Sequence, residues 1–126
     1  MLDKEAKYDL QERLIQFAVR ITEVVEALPK TRVGNHVASQ LVRSGTSPAS
    51  NYGEAQGAES QPDFVHKMKV ALKELRETQV WLQIARRRLL IKPATRLDAV
   101  LVECDEIIAV FYTSIRTAEK RAKKQQ

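Results

Sequence analysis

The sequence predicts an all-α protein: a single-domain, up-down-up-down antiparallel four-helix bundle over residues 1–126. Three observations carry this. Apolar residues recur at helical spacing in four separate stretches, and the β-branched residues share that spacing instead of alternating. Short breaks marked by Pro29, Ser60 to Pro62 and Pro93 divide the stretches. Helices of about five to seven turns on such short connections bury their stripes by packing side by side, each antiparallel to the last. With 126 residues, 44% of them hydrophobic, the chain has material for one core.

The first helix is expected over 10–28. Asp9 and Glu12 have capping-box spacing, the stripe reads Leu10, Leu14, Phe17, Ile21, Val24 and Leu28, and Pro29 stops it. The second, over 32–57, is capped by Thr31 and turns Val33, Val37, Leu41, Ser44, Pro48, Asn51 and Ala55 inward. The third, over 61–90, starts behind Ser60 with Asp63 at the matching position and Pro62 tolerated in the first turn. Its face is Phe64, Met68, Ala71, Leu72, Leu75, Leu82 and Leu89. The fourth, over 96–119, is capped by Thr95 with Asp98 and buries Leu97, Val100, Leu101, Cys104, Ile107, Ile108, Phe111 and Ile115. A frayed basic tail, 120–126, follows with Lys120, Arg121, Lys123 and Lys124.

Composition narrows the function. The single cysteine, Cys104, excludes an internal disulfide and a thiolate zinc site, and its place on the inner stripe makes it a small buried hydrophobe. A di-iron bundle needs the acid-x-x-His motif twice, and the chain has it once, at Asp63 to His66. No glycine-rich phosphate loop or Gly-x-Ser-x-Gly turn is present. The expectation is a non-enzymatic protein without metal or cofactor. Charged residues among Met1 to Tyr8 do not suit a secretory signal, and the apolar stretch Ile107 to Ile115 is too short to cross a bilayer. A cytoplasmic protein with no membrane partner is therefore expected.

Two features stand out from the bundle pattern. In the run Arg43 to Glu54, positions suited to Leu or Ile carry Ser44, Ser47, Asn51 and Glu54. Buried polar groups need partners, and Pro48 removes the N–H that would pair with the Ser44 carbonyl, so a kink or local side-chain bonds are expected there. On helix three, Val70, Trp81 and Ile84 project away from the stripe, with Lys73 and Glu77 between them, and Ile15 and Val19 repeat this on helix one. Helices apolar on two faces point to self-association.

Net charge is +5, from 21 Lys and Arg against 16 Asp and Glu. The bundle topology gathers Lys30, Arg32, Arg86, Arg87, Arg88, Lys92 and Arg96 at one pole, opposed mainly by Glu26 and Asp98. Such a pole suits a polyanion, RNA or DNA, and a ring of copies would strengthen it. The same charges also complement the carbonyl ends of helices one and three. Without a recognition-helix motif or an aromatic stacking set, shape- and charge-driven RNA binding is favoured over base-specific DNA reading. The alternative is a structural or protein-binding scaffold.

The segments DLQERLIQFAVRI, QLVRSGTSPASNYGEA and SQPDFVHKMKVALKELRETQVWL, in this order, resemble the small bacterial four-helix-bundle proteins encoded in intervening sequences of large-subunit ribosomal RNA genes. The resemblance covers residues 9 to about 115. It implies a cytoplasmic, non-enzymatic homopentamer. It extends to the accessory variability determinant of diversity-generating retroelements, which binds nucleic acid and a reverse transcriptase through a basic surface, so a reverse transcriptase is an implied partner. It places an architectural polar signature on Arg43, Ser44, Ser47, Asn51 and Glu54, with Phe64, Lys67, Lys73, Glu74, Glu77 and Trp81 on helix three. Gly45, Tyr52 and Gly53 depart from the family pattern and imply a loosened lower half of helix two.

Overall fold

The computed structural model describes the backbone of residues 4–124 and the side chains of residues 9–124. Four antiparallel helices, α1 (Lys4–Ala27), α2 (Arg32–Gln56), α3 (Gln61–Arg87) and α4 (Asp98–Lys124), form the bundle, with a 3₁₀ turn at Ala94–Leu97 leading into α4. The described residues contain no strand. Leu14, Phe17, Ile21, Leu41, Met68, Leu75, Leu82, Ile107 and Phe111 build the shared core.

Two of the expected caps form. The Thr31 side chain accepts from the Gly34 N–H at 3.0 Å, and the Ser60 side chain accepts from the Asp63 N–H at 3.2 Å. Asp63 answers by accepting from the Glu59 N–H at 3.1 Å, and with Lys67 donating to it at 2.9 Å its carboxyl sits below the usual range. The other two caps do not form. Asp9 lies inside α1, which starts at Lys4, because the preceding polar residues continue the helix without a breaker. Thr95 lies within the 3₁₀ turn, which has no side-chain cap. Helix α4 runs as far as Lys124, where Arg121, Lys123 and Lys124 complement its carbonyl end; the last two tail residues lie outside the described residues.

The inner face of α2 differs from the expected stripe. Val33 is 43% exposed and Asn51 half-buried, while Gly34, Gly45 and Tyr52 are buried. The buried face runs through Gly34, Val37, Leu41, Ser44, Gly45, Pro48, Tyr52 and Ala55, and the residues missed were two glycines without a side chain to score and a tyrosine carrying a hydroxyl. Far from loosening the helix, Gly45 and Tyr52 are tightly packed. The Tyr52 ring meets Phe111 edge to face at 5.9 Å. A Cβ at position 45 would lie 2.6 Å from Ile21 Cγ2, and one at position 34 would lie 1.9 Å from the Pro29 carbonyl oxygen, so each glycine permits a close backbone approach.

The polar signature is partly architectural. The buried Ser44 and Thr78 hydroxyls hydrogen-bond to each other at 2.9 Å, and Thr78 also reaches the Glu74 carbonyl at 2.8 Å. Arg43 spans α2 to α3, pairing with Glu74 at 2.8 Å and with Glu77. Around Pro48 the local side-chain bonds appear as expected: Ser47 donates to the Arg43 carbonyl at 2.6 Å and Ser50 to the Ser47 carbonyl at 3.0 Å, and the helix runs on unbroken. Glu54 is exposed.

Trp81 does not stand free of the monomer. It is half-buried against the core, and its ring meets His36 of α2 edge to face at 5.4 Å, because position 81 falls on the flank of α3 that faces α2. Ile15, Val19, Val70 and Ile84 do project outward, at 43%, 50%, 37% and 38% exposure, and Lys73 is exposed as well.

The α1–α4 seam is the thinnest contact in the ring of helices. Arg13 braces it, donating from Nε and Nη2 to both Glu103 oxygens at 2.9 and 2.6 Å and to Glu106 at 2.8 Å. This fork holds the Glu103 carboxyl below its usual pKa. A folded-state pKa below the unfolded value adds stability above the usual glutamate pKa of about 4.3, lost as pH falls through the depressed value. The stability gap between the parent and Glu103→Gln, read by urea denaturation, is therefore expected at neutral pH and should close in acid; a gap independent of pH would show that ionisation is irrelevant.

Gly45→Ala should destabilise the bundle. Overpacking costs about 1–3 kcal/mol, against about 1 kcal/mol gained in helix propensity. Ile21→Ala alone should cost about 2–5 kcal/mol, and the double variant should lose less than the two single losses together. Strict additivity in urea denaturation would mean that the two residues do not press on each other.

Candidate nucleic-acid interface

At the pole where α1 ends and α2 begins, the loop from α3 to the 3₁₀ turn folds across the α1–α2 turn. Local backbone chemistry sets its course. The Leu90 N–H donates to the Ala85 carbonyl at 3.0 Å and the Leu89 N–H to the Arg86 carbonyl at 3.2 Å, the paired bonds of a Schellman ending. Leu89 occupies the left-handed position of that motif, with φ of 57°, where glycine is usual. The expected third helix therefore ends at Arg87, and Leu89 is 54% exposed instead of in the core. Ile91 and Leu97, at 4% and 1% exposure, pin the loop to the bundle on either side of a cis Lys92–Pro93 bond. Arg96 donates back to the Lys92 carbonyl at 3.4 Å.

Between loop and turn lies a cleft of about 540 Å³. Pro29, Val33 and Leu89 give it apolar surface, and Arg32, Arg88, Lys92 and Arg96 line it with positive charge. Among the described residues, no carboxylate lies within ion-pair distance of those four. The remaining basic-pole residues lie differently. Arg86 is bound to Asp98, its Nε donating to Oδ1 at 2.7 Å, an interaction that lowers the Asp98 pKa. That bond also takes the carboxylate expected to cap α4. Lys30 and Arg87 are exposed outside the cleft lining.

The other chemistry-bearing residues are dispersed. Cys104 is buried with its thiol 3.5 Å from the Leu75 carbonyl, and burial pushes its pKa up to about 12, far from a nucleophilic thiolate. Among the described residues, no group of three or more His, Cys, Asp or Glu side chains is placed to hold a metal ion. No described helix is long and apolar enough to cross a membrane.

Sequence reasoning gathered the cations but missed Leu89, since a leucine one turn beyond a helical stripe looks like its continuation. Leu89→Gly should remove about 1–2 kcal/mol of left-handed backbone cost, offset in part by the greater unfolded-state freedom of glycine. Its urea midpoint is expected at or above that of the parent. A lower midpoint would mean that the leucine side chain contributes packing at this turn.

Comparison with known proteins agrees with this architecture. A crystal structure of a protein of unknown function from the S23 ribosomal protein family of Bacteroides thetaiotaomicron VPI-5482 superposes with a TM-score of 0.79 at 30% identity, covering 87% of this chain and 97% of that one. No curated protein matches the chain. The model of the 23S rRNA-intervening sequence protein family matches residues 6–113. With the helices, their order and most of the chain in agreement, this protein belongs to the 23S rRNA-intervening sequence protein family.

Proposed function

We propose that the protein is a non-enzymatic homo-oligomer, a pentamer, that binds RNA through the basic cleft at its pole. The observation that carries this reading is the cluster of Arg32, Arg88, Lys92 and Arg96 without acidic partners among the described residues. Helix dipoles account for cations at the end of α3, but Arg32 opens α2 and Arg96 lies in the turn that opens α4. A cation at a helix N-terminus is disfavoured by the dipole, so those two charges answer to something other than helix stability. A phosphodiester backbone is the natural complement, and its binding releases counterions. A reverse transcriptase acting on that RNA is the protein partner that the retroelement resemblance adds.

Arg32→Glu, Arg88→Glu and Lys92→Glu together should weaken binding to an RNA oligonucleotide of any sequence. They should also flatten the slope of log affinity against log salt by about 0.7–0.9 per lost contact. Arg86→Glu, at a site already held by Asp98, should have the smaller effect. An unchanged slope in the triple variant would remove the pole from the binding surface. Failure of the parent to bind RNA near physiological salt would leave the protein-binding scaffold as the better reading.

Light scattering should give a mass several times the 14.3 kDa chain, unchanged in the triple variant because none of its sites is among the outward apolar residues. A monomer at micromolar concentration would overturn the oligomeric part of the proposal.

A further inference from the structure

We propose that the groove between α3 and α4 docks an acidic amphipathic helix of a partner protein. The site lies on a flank of the bundle and is separate from the polar cleft. Its volume is about 410 Å³ and its floor is carbon: half-buried Leu72, buried Ile115 and the ring of Tyr112. Its walls are cationic, with Lys69, Lys73 and Arg76 from α3 and Arg116 from α4. The acid in the lining, Glu119, is engaged by Lys69 at 3.8 Å. Among the described residues, Lys73, Arg76 and Arg116 have no carboxylate within ion-pair distance. Positive charge continues along α4 through Lys120 and Lys123.

Shape and charge together select the occupant. A trough between two antiparallel helices accepts a third helix, whose apolar stripe at i, i+3/i+4 spacing meets the floor. Acidic residues flanking that stripe would meet both walls, as flanking charges do in coiled coils. Nucleic acid would use the walls but leave the apolar floor without a partner. Tyr112 is the one aromatic in the groove lining, whereas surfaces that bind single-stranded nucleic acid line up several rings on which successive bases stack.

The test uses the full chain and a fluorescein-labelled synthetic peptide of about five helical turns, with leucines at i, i+3/i+4 spacing flanked by glutamates. A peptide of the same composition with the leucines permuted off one face is the control. Fluorescence anisotropy should show the striped peptide binding at least about tenfold more tightly than the permuted one, a difference of about 1.4 kcal/mol. Arg76→Glu with Arg116→Glu should weaken binding by at least as much, and Lys73→Glu alone by less; circular dichroism confirms that each exposed-site variant stays folded. The Arg32, Arg88 and Lys92 reversal should leave peptide binding intact, which separates this site from the pole. Equal binding of both peptides, or none to the parent at about 100 μM, would overturn the proposal. So would a groove variant that loses RNA affinity instead, which would make the groove nucleic-acid surface, or one that loses oligomer mass, which would make it an interface between copies.

Discussion

Ile21 can press against the backbone of α2 because residue 45 has no side chain, and much of the bundle follows from that approach. Further along the core side of α2, Tyr52 meets Phe111 of α4 and Asn51 is left on the flank. The same principle works one element earlier, where Gly34 lies beneath the Pro29 carbonyl and fixes how sharply the chain turns from α1 into α2. That turn forms one wall of the polar cleft, so a steric constraint in the core sets the position of Arg32 and Val33 at the surface. Small residues on α2 bring neighbouring backbones together, and dense packing makes such positions intolerant of added volume.

The charged residues divide into two populations with different physical roles. Arg13, Arg43, Lys67 and Arg86 each have a carboxylate partner, and all but Lys67 cross between helices. Arg43 reinforces the α2–α3 contact beside the Ser44–Thr78 hydroxyl pair, while Arg13 spans the sparser α1–α4 seam. These half-exposed pairs are screened by solvent and contribute only modestly to stability. The second population, Arg32, Arg88, Lys92 and Arg96 at the polar cleft and Lys73, Arg76 and Arg116 in the α3–α4 groove, lacks acidic partners among the described residues. Unneutralised like charge on a folded surface is a cost to compactness that anionic partners relieve.

The cleft joins that charge to a backbone feature. A leucine held at positive φ stands exposed at the rim of a basic concavity, on a loop whose two ends are anchored by Ile91 and Leu97. Strained residues persist where the surroundings over-determine them, and such places gather at functional sites. In this loop, strain, exposed apolar surface and unpaired cations fall within a few residues of one another.

The sequence by itself determined the four helices, their order, the breaks between them, the Thr31 and Ser60 caps and the identity of the polar cations, because periodicity and capping are local and topology then assigns each helix end to a pole. What it could not determine was which residue of a near-degenerate pair turns inward. Asn51 against Tyr52, and Val33 against Gly34, differ by one step of 100° along the helix, and the choice goes with the neighbour each meets, Phe111 against the Tyr52 ring and Pro29 against Gly34. The same limit explains Trp81, drawn to His36 by the helix beside it, and Asp98, taken from its expected cap by Arg86. The α3–α4 groove was invisible for the same reason. Its cations lie on two helices far apart in sequence, and they become one surface only when packing brings those helices together.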